Sequence, residues 1–169
     1  MRLWLGKHLQ THPLLAPLLL VGAVIAVYFP AVRSGIHPID DPGIIAHYTK
    51  TLPLLQVLLP TNGYYYRPFV ELSFWLDNLL WGMEPNVMHL ENILLHCANS
   101  LLVFVLACKV TRQGPEGAPL IPLLAALWFA LYPTNVEAVT WIAGRTDPLL
   151  AFFALSATFF WLRWLETPR

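Results

Sequence analysis

Four apolar runs set the plan of the chain. The first, "PLLAPLLLVGAVIAVYFPAV" at residues 13–32, carries no charge and matches the roughly 20 residues a helix needs to cross a bilayer. Further runs cover about 90–110, 118–133 and 147–164, and each predicts a transmembrane helix. The third and fourth offer only about 15 apolar residues, roughly 22 Å of helix against a hydrocarbon core of about 30 Å. Polar groups must therefore complete their outer ends. The intervening "YPTNVEAVTWIAGRTD", residues 132–147, is expected to do this by dipping into a protein-lined cavity, where irregular backbone is tolerated at membrane depth. Arg2 and Lys7 precede the first run, whose length and lack of a small-x-small cleavage site make it an anchor rather than a cleaved signal.

The stretch between the first two runs, about 33–88, is too apolar for a linker. "YYYRPFVELSFWLDNLLWGM" reads as an amphipathic helix lying along the membrane interface. Phe69, Leu72, Phe74, Trp75, Leu76, Leu79 and Leu80 make its apolar face; Glu71, Ser73, Asp77 and Asn78 supply polar positions. Asn62-Gly63 marks a turn before it, and Pro68 suits a first helical position.

Within the second run the polar residues His89, Asn92, His96 and Asn99 follow at spacings of 3, 4 and 3, which puts them on one helix face. Such a stripe either bonds helices together or lines a substrate cavity. A metal site fits it poorly, because the histidines are seven apart and no carboxylate stands at a ligand spacing.

Composition agrees with a lipid solvent: 57% of the 169 residues are hydrophobic, 12% are charged, and the mean hydropathy is +0.57. The fold class is therefore all-α, a polytopic integral membrane bundle of about four transmembrane helices plus interfacial helices, forming a single membrane domain. A net charge of zero with scattered Lys and Arg excludes a nucleic-acid partner. Cys97 and Cys108 both lie in one apolar run and read as small hydrophobes. By the positive-inside rule, Arg2, Lys7, Lys109, Arg112, Arg163 and Arg169 mark the cytoplasmic side. The N-terminus is then cytoplasmic, and the loop at 33–88 is extracytoplasmic.

Three groups on that outer side carry candidate chemistry. The adjacent Asp40 and Asp41 read as a solvated turn, or as a general base near apolar walls with a second carboxylate that holds the acceptor or a cation. Arg67 and Arg145 are fork-shaped donors suited to a lipid-linked phosphate, unless Arg145 pairs with Glu137 or Asp147.

The order of "DD", "YYRP", "LWGMEPNVMHLENILLHCANSLLVF" and "YPTNVEAVTWIAGRTDPLLAFF" resembles the N-terminal membrane part of the transmembrane and tetratricopeptide-repeat O-mannosyltransferases and their bacterial relatives, glycosyltransferases of the GT-C class. The resemblance covers about residues 13–165. It implies a membrane enzyme that moves a sugar from a polyprenyl-phosphate donor to an extracytoplasmic acceptor such as a protein hydroxyl or glycan. It also implies a bacterial inner membrane, or the endoplasmic reticulum in a eukaryote. Asp41, with Asp40 beside it, takes the place of the catalytic carboxylate; Arg67, His89, Asn92, His96, Glu137, Arg145 and Asp147 take those of donor- and substrate-binding residues. No metal ligand and no cofactor besides the lipid-linked donor are implied, and a divalent metal is left open. Tyr132-Pro133 stands where relatives show His-Pro. The family has more membrane helices and commonly a tetratricopeptide-repeat domain, so the chain is expected to be truncated relative to it, or one subunit of a larger assembly, and to need that remainder for activity. Two other readings remain from the residues: a non-catalytic scaffold or transport subunit that binds a lipid-linked sugar, and a proton-coupled transporter relaying through His89 and His96.

Overall fold

The computed structural model describes residues 14–50, 52–60, 66–112 and 119–167. Arg2, Lys7, the Asn62-Gly63 turn, the loop at 113–118 and Arg169 lie outside the described residues. Those described form eight α-helices: α1 (Leu15–Tyr28), α2 (Asp41–Tyr48), α3 (Leu54–Leu58), α4 (Pro68–Trp81), α5 (Pro85–Thr111), α6 (Leu120–Leu131), α7 (Asn135–Thr140) and α8 (Thr146–Glu166). Short 3-10 turns follow α1 at Phe29–Arg33 and precede α8 at Ala143–Arg145.

Three continuous helical stretches, Leu15–Arg33, Pro85–Thr111 and Ala143–Glu166, are long and apolar enough to cross a membrane. α6 is apolar but only 12 residues long. The chain is a multi-pass membrane protein, all-helical among its described residues.

Helix boundaries follow local chemistry. Pro68 and Pro85 stand at the starts of α4 and α5, where a missing N–H costs nothing. Between them Gly82 and Met83 adopt left-handed backbone, φ +68° and +61°, which stops α4 and turns the chain into α5. α6 ends before Pro133, and the freed carbonyl of Phe129 accepts a bond from Asn135 Nδ2 at 2.5 Å.

α1, α5 and α6 share one core. Leu20 and Val24 of α1 meet Ile93 and Phe104 of α5 and Leu123, Ala126 and Ala130 of α6. The two alanines are fully buried, and their small side chains let α6 lie close against its neighbours. Tyr28 fastens α1 to the end of α6 by donating its hydroxyl to Ala130 O at 3.0 Å. At the other end of the bundle, Lys109 and Glu166 join the last turns of α5 and α8.

A second, smaller cluster of Tyr48, Phe74, Met83, Met88 and Ile142 packs the segments around α2 and α4 onto α5. α4 differs from a helix with its polar side in water. Asp77 is buried against the bundle, with Ser73 partly so, while Phe69, Leu79, Leu80 and Trp81 stay exposed.

Candidate active site: a cleft beside the break before α8

The polar stripe on α5 explains how irregular backbone survives in an apolar bundle. His89 Nε2 lies 2.7 Å from Gly35 O, and His96 Nε2 lies 2.9 Å from Ala130 O. Asn92 Nδ2 donates to Trp141 O at 2.9 Å, and Asn99 Nδ2 donates to Pro148 O at 2.8 Å. All four residues are buried, and each meets a carbonyl at or beside an end or break in another segment. Of the two uses open to such a stripe, the structure shows hydrogen bonding between segments. His89, Asn92 and His96, expected to bind the donor, each place one side-chain nitrogen at a backbone carbonyl, and none of them lines the cleft described below.

Arg145 closes the same region and departs further from expectation. Its Nε donates to Asn92 Oδ1 at 2.9 Å. Nη1 donates to Asp77 Oδ2 at 2.5 Å and to Ser73 Oγ at 3.3 Å. Nη2 donates to Glu91 Oε2 at 3.0 Å and to Met88 O at 3.3 Å. These bonds engage all five guanidinium N–H donors. The guanidinium also lies 4.6 Å from the Phe74 ring centre, over its face. Neither expected partner, Glu137 or Asp147, is among these bonds, and the buried fork has no donor left for a phosphate. Burial pushes the Asp77 carboxyl up, to about 7, while the Arg145 charge opposes the rise and Glu91 adds to it.

Asp41 and Asp40 have separate fates. Asp41 is 1% exposed; Oδ2 accepts from His37 N at 2.7 Å and Oδ1 from Ala143 N at 3.1 Å. It ties the start of α2 to the turn before α8. Asp40, one residue earlier, is exposed and reaches the cleft. Asp41, the expected reactive carboxylate, is buried with one backbone N–H bonded to each oxygen, while Asp40 is the member of the pair that lines the cleft.

The cleft encloses about 1090 Å³. Its walls include Asp40, Arg67, Glu137, Trp141, Thr146 and Asp147. Arg67 ends the segment before α4, and its Nη1 donates to Thr146 Oγ1 at 3.1 Å across the opening. Four residues singled out in the sequence thus converge from four segments: Asp40, Arg67, Glu137 and Asp147. Sequence reasoning missed Trp141 and Thr146 on the wall, and Asp77 and Glu91 as partners of Arg145. Asp77 and Glu91 each left a trace, as charges interrupting the apolar runs of α4 and α5. Among the described residues no group of three or more His, Cys, Asp or Glu side chains is placed to hold a metal ion.

Gly144 shapes the cleft floor. A Cβ there would meet Ala138 O and Glu137 O, each at 3.1 Å, both belonging to the backbone of α7. Gly144→Ala is expected to push α7 away and cost about 1–3 kcal/mol, the range for overpacking a close contact. Thermal unfolding in detergent, with Gly22→Ala as a control whose added Cβ meets nothing within 4 Å, checks it.

No protein-family description and no solved structure matches the chain. It is similar to protein O-mannosyl-transferase TMTC1 of Mus musculus, 38% identical over 101 residues, covering 60% of this chain and 10% of that protein. It is 35% identical over 92 residues to protein O-mannosyl-transferase TMTC3 of Homo sapiens, covering 54% and 9%. With protein O-mannosyl-transferase TMTC4 of Homo sapiens the identity is 38% over 99 residues, covering 53% and 13%. The chain spans about a tenth of the length of these relatives. Together with the membrane bundle, these identities make the chain a homologue, over about half of its length, of the TMTC protein O-mannosyl-transferases.

Proposed function

We propose that this chain is part of a membrane glycosyltransferase of the GT-C type that moves a sugar from a polyprenyl-phosphate donor to a hydroxyl of an extracytoplasmic protein or glycan. The observation that carries the reading is the convergence of Asp40, Arg67, Glu137 and Asp147 on one cleft at the end of a membrane bundle. Asp40 serves as general base toward the acceptor hydroxyl, so that the oxygen gains nucleophilic character as it meets the sugar carbon. Arg67 steadies the phosphate of the leaving lipid, where a planar cationic fork offers two parallel hydrogen bonds. Glu137, Asp147 and the Trp141 ring hold sugar or acceptor groups by hydrogen bonding and stacking. Asp41 and Arg145 act one layer back, fixing the turn at Ala143–Arg145 that forms one wall.

In this reading the basic ends of α5 and α8 face the cytoplasm and the cleft faces outward. Further membrane helices or a repeat domain of the native polypeptide complete the donor cavity. The test uses that native polypeptide in vesicles, supplied with polyprenyl-phosphate mannose and an acceptor peptide. Sugar transfer with release of polyprenyl phosphate is expected, and Arg67→Gln should raise the KM for the donor about tenfold, the loss of roughly one charge-assisted bond. Unchanged donor KM in Arg67→Gln, or no transfer from any polyprenyl-phosphate sugar, overturns the reading.

A further inference from the structure

Arg145 carries one charge and meets two carboxylates. Nη1 bonds Asp77 Oδ2 on α4 and Nη2 bonds Glu91 Oε2 on α5, so neighbouring nitrogens of one guanidinium bring the two acids side by side. The two side chains also bond each other. Ionised carboxylates are acceptors only, and neither of two such groups has a hydrogen to give. A bond between them requires a proton on one.

Which acid carries it follows from their other bonds. Glu91 accepts on both oxygens, from Arg145 Nη2 at 3.0 Å and from Trp81 Nε1 at 3.1 Å, and its side chain is 32% exposed. A proton there would compete with an N–H for the same oxygen. Asp77, 4% exposed at its side chain, accepts from Arg145 on Oδ2, which leaves Oδ1 to carry a proton. Ionised as well, it would leave the cluster with one negative charge in excess, out of water.

No neighbouring group offsets that excess. The charged groups that act on Asp77 are Arg145, from the turn before α8, and Glu91, from α5. Tyr48 of α2 lies on the Phe74 ring and is neutral, its hydroxyl pushed up to about 12 by burial and by Glu71. His89, two residues before Glu91, turns its Nε2 to Gly35 O.

We infer that Asp77 and Glu91 form a one-proton latch between α4 and α5, in which Asp77 holds the proton and donates it as a hydrogen bond to the Glu91 carboxylate. Arg145 and Glu91 are then a neutral pair. The latch stands behind the turn at Ala143–Arg145, which gives Ala143 and Gly144 to the cleft wall, and it does not depend on the reaction performed there. Burial first of all raises the Asp77 carboxyl to about 7, so the proton leaves near neutral pH and two anions then share one guanidinium.

Amide variants of the native polypeptide in vesicles test it, because an amide reproduces a protonated carboxyl: neutral, with an N–H to donate and a C=O to accept. Infrared spectra at about pH 6 and about pH 8 read the C=O stretch of a protonated carboxyl apart from that of a carboxylate. Subtracting Asp77→Asn from the native spectrum is expected to leave one protonated-carboxyl band, strong at the lower pH and weak at the higher. Glu91→Gln is expected to shift that band, since it changes the acceptor; Trp81→Phe, which removes a donor to Glu91, does so where Glu91→Gln fails to insert. Asp77→Asn should melt with the native protein at the lower pH and above it at the higher. Absence of the band, or an Asp77→Asn protein that melts well below the native one at the lower pH, means an ionised Asp77 and overturns the inference. A band that neither Glu91→Gln nor Trp81→Phe moves belongs to Asp77 alone, and a band kept in Asp77→Asn but lost in Glu91→Gln puts the proton on Glu91. Either result also overturns it.

Discussion

Asp40→Asn should lower turnover by about two to four orders of magnitude while the protein still inserts and folds, because a positioned general base contributes on that scale. The amide keeps the size of the side chain and removes only its capacity to take a proton. Asp40 is exposed on the cleft wall, so the loss appears in kcat with little change in melting temperature. Asp41→Asn should behave in the opposite manner. Both oxygens of Asp41 accept backbone N–H groups, from His37 and Ala143, and an amide NH2 facing either would leave two donors opposed. The cost is about 1–3 kcal/mol, and turnover falls together with stability. Turnover assays beside thermal unfolding separate the two cases. Normal turnover in Asp40→Asn, or loss of turnover in Asp41→Asn at unchanged stability, would return the reactive role to the buried carboxylate.

Arg145→Met should destabilise the fold by about 3–5 kcal/mol, the usual result of removing one member of a buried ion pair. The variant strands Asp77, 4% exposed at its side chain, and leaves Asn92 Oδ1 without its donor. A pH signature accompanies the loss. Burial already raises Asp77 to about 7 against the opposing charge of Arg145, and without that charge the rise is larger. A carboxyl whose folded pKa lies above its unfolded value contributes stability that is fully present below the unfolded pKa, near 4, and is lost as pH climbs to the folded one. In the native protein this loss is complete near pH 7; in Arg145→Met it continues above pH 7. Denaturation in detergent across that range reads the difference. The double variant Arg145→Met, Asp77→Leu should regain much of the stability and lose the added pH dependence, since replacing a whole buried pair with apolar groups is far less costly than breaking it.

How much of this could be read beforehand depends on the distance between partners. Apolar runs marked α1, α5, α6 and α8 because burial in lipid is written residue by residue, and the 3-4-3 spacing put His89, Asn92, His96 and Asn99 on one face. Their use stayed hidden, because the groups they meet are backbone carbonyls, which every residue carries. Arg145 shows the same limit in another form. The nearest carboxylates in sequence, Glu137 and Asp147, are exposed at the cleft, while its actual partners sit 54 and 68 positions away. Asp40 and Asp41 could not be told apart by composition. One residue of helix rotation, about 100° at the start of α2, sends one carboxylate inward and the other out.

The four bonds from the α5 stripe also impose an order of assembly. Ala130, Trp141 and Pro148 all lie later in the chain than the side chains that bond their carbonyls. During synthesis α5 leaves the ribosome and enters the bilayer before any of them. Each of these later carbonyls then finds its α5 side-chain partner already at membrane depth. Only Gly35 precedes its partner, and it lies in the loop between α1 and α2, where water can serve until His89 arrives.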